Sequence, residues 1–227
     1  MRLRAWDLAM ERGGRRLFSG LAFEAEAGSA LIVTGPNGAG KSSLLRGLCG
    51  FLPFASGGFA LEGGDGERTV GEEAHYLGHA DALKGALTAG ENLAFWAGAL
   101  GGDSRREACR AALARVGLAH VIDFPARALS AGQKRRTALA RLLVAHRPLW
   151  LLDEPTTALD AAAQSAFAGI MQAFLDDGGV VLAATHAPLG LARAKTLRLG
   201  AAEGGGVRTA KLRSPATPSP ARGEGYA

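Results

Sequence analysis

The chain has 227 residues, 48% hydrophobic and 21% charged, which fits one large globular domain or a core with an insertion and excludes a collagen-like or wholly disordered chain. Its net charge is +5, but residues 204–227 hold Arg208, Lys211, Arg213 and Arg222 against Glu224, so +3 lies there and +2 is left for residues 1–203. A body so nearly neutral gives no case for nucleic acid as a partner.

Residues 3–10 (LRAWDLAM) and 17–25 (LFSGLAFEA) predict two strands around a polar turn at 11–16, with Leu3, Ala5 and Phe23 facing inward. Residues 30–34 (ALIVT) form a short, unbroken apolar run, the pattern of a strand buried on both faces. A glycine-rich turn follows, and from Lys41 the pattern becomes helical, with Leu44, Leu45 and Leu48 on one stripe. Residues 57–74 predict a turn with a short edge strand, and 74–78 another strand. Residues 81–127 are rich in helix formers, with stretches at 90–100 and 105–116 split by Gly101-Gly102-Asp103, so a helical insertion is expected there. The strand and helix alternation then resumes: helix 131–146, strand 149–152, helix 161–177, strand 180–184 and a last strand near 196–199. Such alternation implies a mostly parallel sheet covered on both faces. Beyond Gly200 the sequence turns to GGG and SPATPSPARGEG, a composition expected to be disordered.

Cys49 and Cys109 sit far apart in helical patterns, which supports neither a zinc site nor a disulfide framework and suits a reducing compartment. The first ten residues lack the apolar core of a signal peptide, and no apolar run is long enough to span a membrane. Any membrane span is expected to come from another chain.

The chemistry is concentrated at three places. Gly35-Pro36-Asn37-Gly38-Ala39-Gly40-Lys41-Ser42 matches G-x-x-x-x-G-K-[ST] and falls between a buried strand and a helix start. Backbone amides can converge on a polyphosphate only where the chain turns tightly with little side-chain bulk, which Gly35, Gly38 and Gly40 permit; the helix that follows, with Ser43 in its first turn, adds its positive end. Lys41 is expected to bridge the β- and γ-phosphates of ATP, and Ser42 to offer its hydroxyl to Mg²⁺. Residues 149–154 (LWLLDE) are an apolar strand ending in two carboxylates. At the C-terminal end of a parallel strand Asp153 can hold Mg²⁺ through water, and Glu154 can polarise the attacking water as general base. Leu129-Ser130-Ala131-Gly132-Gln133 precedes a helix with Leu139, Leu142 and Leu143 on its apolar face. The Ser130 to Gln133 spacing suffices for an ordinary capping box, and the same geometry is a second anion site.

LSAGQ resembles the LSGGQ signature of ATP-binding cassette (ABC) ATPases, with Ala131 at the first glycine. The resemblance covers about residues 1–200 and implies a P-loop NTPase fold of class α/β, with an N-terminal antiparallel part and an inserted α-helical subdomain. It divides the chain into an ATP-binding core (1–80 and 128–203), a helical subdomain (81–127) and the tail (204–227). It also implies a head-to-tail homodimer in which Ser130, Gly132 and Gln133 of one copy close over the γ-phosphate held by the other. Asp160 then resembles the loop residue that communicates across the dimer, and His186, after the strand VVLAAT, the switch histidine. His79 stands where the family commonly has a glutamine that binds Mg²⁺, and no aromatic for adenine stacking occurs near 10–12, where Arg12 could serve through its planar guanidinium.

The segments 76–79 (YLGH), 87–96 (LTAGENLAFW), 17–23 and 129–143 further resemble the haem exporter ATPases of cytochrome c maturation, a family with His at the glutamine position. That resemblance implies a peripheral protein on the cytoplasmic face of a bacterial inner membrane, paired with polytopic B- and C-type subunits through residues 81–96. Direct haem binding is not expected: the sequence has no C-x-x-C-H, and His75, His120 and His146 read as solvated or structural. The alternatives are the ATP-binding subunit of a different ABC exporter or importer, and a soluble ABC ATPase acting on nucleic acid or ribosomes.

Overall fold

The computed structural model describes residues 1–200, so the expected disorder of 204–227 lies outside the described residues. Along the chain run β1 (Arg2–Arg12), β2 (Arg15–Glu26), β3 (Ser29–Thr34), α1 (Lys41–Leu48), β4 (Ser56–Glu62), β5 (Ala74–Leu77), α2 (Ala89–Leu100), α3 (Arg106–Arg115), α4 (Ala131–Ala140), β6 (Leu149–Asp153), α5 (Ala161–Asp176), β7 (Val180–Ala184) and β8 (Ala194–Arg198). The hairpin β1–β2 turns at Gly13 and Gly14, both at positive φ, and β4 adds to the other side of β1, making an antiparallel sheet of order β2-β1-β4. The second sheet has the order β5-β6-β7-β3-β8 with every pairing parallel.

The two faces of the parallel sheet explain why its strands read as unbroken apolar runs. Leu31, Val33, Leu149, Leu151, Val180 and Leu182 pack with Leu44, Leu45 and Leu48 of α1 and with Leu3, Ala5, Leu21 and Phe23 of the antiparallel sheet. Their neighbours Ala30, Trp150, Leu152, Val181 and Ala183 face α2, α3, α4 and α5. Leu93, Ala97, Cys109 and Leu113 of α2 and α3 join that same cluster, so residues 81–127 have no separate core.

One expectation is corrected. The helix expected over 131–146 stops at Ala140, and a 3₁₀ turn, Arg141–Leu143, takes over. That tighter turn places the Arg141 guanidinium 4.3 Å over the Trp96 ring, with Nη2 donating to the Tyr76 carbonyl at 2.6 Å. Residues 81–88, ahead of the helix expected from residue 90, are irregular. There the buried Asn92 side chain accepts from the Lys84 amide and donates to the carbonyls of Lys84 and Thr88, while Thr88 and Glu91 form a reciprocal capping box that starts α2. Among the described residues no helix is long and apolar enough to cross a membrane.

Candidate functional site

Because the five strands are parallel, their C-terminal ends share one edge, and β7 is the common neighbour there: Ala184 pairs with Val33 of β3 on one side and Asp153 of β6 on the other. The loops leaving β3, β6 and β7 carry residues 35–42, 153–154 and 185–186. Gly35, Gly38 and Gly40 all have positive φ (142°, 81° and 97°). Two of them also lie close to other parts of the chain. A Cβ on Gly35 would collide with the Leu199 carbonyl, and one on Gly40, the N-cap of α1, would sit 3.1 Å from Leu17 and Phe18. Pro36 and Asn37 are exposed at the tip, Ala39 donates its amide to the Pro36 carbonyl at 3.2 Å, and Ser43 is buried in the first turn of α1.

Lys41 Nζ lies 2.7 Å from the Gly35 carbonyl, 3.2 Å from that of Pro36 and 3.1 Å from His186 Nε2. An ammonium has three protons and no lone pair, so it donates to all three, and the His186 ring accepts at Nε2. Ser42 Oγ donates to Asp153 Oδ1 at 3.0 Å, and Asp153 is buried. Two hard oxygen donors converging beside a phosphate loop fit Mg²⁺. Glu154 follows at φ 46°, a left-handed conformation that costs a non-glycine residue about 1–3 kcal/mol. Its amide donates to the Ala184 carbonyl at 2.8 Å, and its Oε2 accepts from the buried Thr185 hydroxyl at 3.1 Å. The left-handed turn carries the Glu154 side chain to Thr185, beside β7, whereas Asp153 meets Ser42.

Ser130 caps α4 with both halves of the capping box formed: its hydroxyl accepts from the Gln133 amide at 3.2 Å, and Gln133 Oε1 accepts from the Ser130 amide at 2.9 Å. The cap uses the serine as an acceptor, so its O–H proton stays free to donate. Ala131 is not among the residues at positive φ, so alanine is accommodated there without backbone strain. A Cβ on Gly132 would approach the Ala158 carbonyl to 3.2 Å, which puts the signature turn against the loop before α5. Asp160 caps α5, accepting from the Ala163 amide at 2.7 Å.

The structure thus brings Lys41, Ser42, Asp153, Glu154 and His186 together. Among the described residues no hydrogen bond joins Ser130, Gly132, Gln133 or Asp160 to that group. His79 is exposed two residues beyond β5, on the same edge, and among the described residues it joins no cluster of three His, Cys, Asp or Glu side chains that could hold a metal. Arg12 is exposed at the hairpin end, whereas Met10 is in the core. His120 and His146 are exposed, and His75 is buried with Nε2 donating to the Ala145 carbonyl at 2.8 Å. Burial is the main reason the His75 ring falls to about 4; its hydrogen bond to Ala145 opposes that fall, and Arg141 and Arg147 reinforce it.

Sequence reasoning missed Arg135 and Thr185. Arg135 shares a helical face with the buried Ala138, Leu139 and Leu142, and a charge on an apolar face was the available signal. A groove of about 280 Å³ is lined by Phe51, Tyr76, Trp96 and Leu100 among others and includes none of these site residues. Phe51 is 64% exposed, and Arg46 of α1 donates to the Tyr76 hydroxyl at 3.2 Å.

A lysine-bearing glycine loop and an Asp-Glu strand end thus lie on either side of one central strand. The ABC transporter family model matches residues 18–157, and the chain belongs to that family of ATP-binding proteins. Within it, the chain is 59% identical over 202 residues to the cytochrome c biogenesis ATP-binding export protein CcmA of Nitrobacter winogradskyi, covering 89% of this chain and 100% of that one. The protein of the same description from Nitrobacter hamburgensis is also 59% identical over 202 residues, covering 88% and 98%. That likeness places the chain among the cytochrome c biogenesis ATP-binding export proteins. A solved structure described as the ATP-binding subunit of an ABC transporter superposes with TM-score 0.76 over 88% of this chain and 86% of that one, at 23% identity, and shares the fold.

Proposed function

We propose that the chain is the ATP-hydrolysing subunit of an ABC exporter in cytochrome c biogenesis, energising the export or delivery of haem. The observation that carries the ATPase reading is the convergence of Lys41, Ser42, Asp153, Glu154 and His186 on one sheet edge. The biological setting rests on the 59% identity to the Nitrobacter proteins.

In this reading the amides of residues 35–42 and the N-terminus of α1 bind the phosphates, and Lys41 pairs with the β- and γ-phosphates. Ser42 and Asp153 hold Mg²⁺, which neutralises phosphate charge; His79, an exposed nitrogen donor, is a candidate through bound water. Glu154 orients a water and takes its proton as the oxygen attacks the γ-phosphorus and the bond to ADP breaks. His186 contacts the γ-phosphate. Ser130, Gly132 and Gln133 of a second copy close the site, the serine donating its free O–H proton, and Asp160 meets the partner copy.

Residues 1–80 and 128–203 form the nucleotide-binding part, and residues 81–127, next to the Phe51 and Trp96 groove, meet polytopic B- and C-type subunits. Haem is the cargo of the complex and is not bound by this chain. The place of work is the cytoplasmic face of the inner membrane. Co-purification from cells making c-type cytochromes tests the setting: recovery with cytochrome c maturation subunits is expected, and recovery only with an unrelated transporter overturns it.

A further inference from the structure

Arg135 is 3% exposed, and its guanidinium makes five hydrogen bonds to two separate parts of the chain, residues 153–155 and 78–81. Nη2 donates to the carbonyls of Asp153 (3.1 Å) and Glu154 (2.7 Å), and Nε to that of Pro155 (3.1 Å). Nη1 donates to the Gly78 carbonyl at 3.0 Å and to Asp81 Oδ1 at 3.1 Å. One planar fork therefore grips three consecutive carbonyls around Glu154, at the point where the backbone is forced to φ 46°. The same fork ties that turn to the segment holding His79 and, through its own backbone, to the helix that Ser130 caps.

Arg135 touches the backbone of the turn, while the Glu154 carboxylate is held from the other side by Thr185. We infer that Arg135 is a positioning residue for Glu154, fixing where the base stands relative to the phosphate loop and making that position depend on the 78–81 segment and the signature helix. The inference rests on Glu154 acting as the base. A lysine at 135 would keep the charge but lose the fork, because an ammonium is a single point and cannot reach carbonyls spread over this arc. A base displaced by about 1 Å costs on the order of 10²-fold in turnover without weakening phosphate binding.

Steady-state ATPase kinetics of the full chain, with turnover expressed per bound non-hydrolysable ATP analogue, tests this. Arg135→Lys is expected to lower kcat about 10- to 100-fold, with KM for ATP and analogue affinity within about 3-fold of the parent. An unchanged kcat overturns the inference, and so does a loss of analogue binding that accounts for all of the lost activity, since that marks a purely structural arginine. Where Arg135→Lys does not fold, the pair Asp81→Ala and Asp81→Asn decides. The alanine, which removes one of the two acceptors for Nη1, is expected to lower kcat about 5-fold at unchanged KM, and the asparagine, whose amide oxygen still accepts, to restore it. Equal kcat in both overturns the inference. Glu154→Gln is measured alongside: normal turnover in that variant overturns the base assignment itself, whereas its inactivity beside a fully active Arg135→Lys overturns only the role of Arg135.

Discussion

The Ser42 hydroxyl donates to Oδ1 of Asp153 across 3.0 Å, although the two residues are 111 positions apart in the chain. The contact exists because β7 spaces β3 from β6 and all three run the same way. It makes the two hard oxygen atoms of the proposed Mg²⁺ site neighbours within the protein.

Asp153→Asn keeps the shape and the contact with Ser42 but removes the negative charge. The Mg²⁺ concentration for half-maximal ATPase activity is expected to rise about 10-fold or more, with turnover at saturating Mg²⁺ down about 10²-fold. An ATPase titration with Mg²⁺ that superposes on the parent's would sink the assignment.

Glu154→Gln is expected to bind ATP with affinity close to the parent's and to hydrolyse it about 10² to 10⁴-fold more slowly, the usual worth of a positioned general base. Equilibrium binding of a fluorescent ATP analogue and single-turnover hydrolysis separate the two effects. Weakened binding with normal single-turnover hydrolysis would contradict the proposed role.

Ser130 carries two roles that one substitution can part. Aspartate caps helices as well as serine, so Ser130→Asp is expected to keep the thermal midpoint of the parent. It would also bring a negative charge, without a donor proton, to face the phosphate of the partner copy, so ATPase activity is expected to fall about 10-fold or more. Ser130→Ala, by contrast, should cost about 1 kcal/mol of stability. Full activity in Ser130→Asp would remove the second role.

His75 gives the fold a pH dependence. The folded ring titrates near about 4 and the unfolded one near 6.5, so the unfolded chain binds more protons between those values. Stability is therefore full above about pH 6.5 and falls as the pH drops toward 4. The loss attributable to this residue is about 2 kcal/mol between about pH 7.5 and pH 5. Urea unfolding at both values should show that part of the loss in the parent and not in His75→Gln, whose side chain can still donate to Ala145 but does not titrate.

The order of strands and helices and the phosphate loop were legible because their signals are local. An apolar run, three glycines and a lysine lie within a dozen residues of β3, and Leu44, Leu45 and Leu48 mark the buried stripe of α1. Asp153 and Glu154 were legible as a strand end, but the left-handed turn between them was not, because its φ of 46° is sustained by Arg135 of α4 and by Ala184 and Thr185 at the end of β7. The end of α4 was misjudged for a related reason. Residues 141–146 have helical propensity, yet Arg141 gains the Trp96 ring and the Tyr76 carbonyl by leaving the helix. The start of α2 was legible near residue 90, and T-A-G-E at 88–91 is the capping-box signal that fixes it in the structure.

Ala184 has two flanking partners, Val33 and Asp153. Strand pairing admits only whole-residue steps, and one step sends every side chain to the opposite face. The separation between the lysine loop and the acidic pair is therefore a stepped quantity with β7 as its ruler. Small strains elsewhere cannot drift that spacing, which leaves the turn gripped by Arg135 as the adjustable part of the geometry.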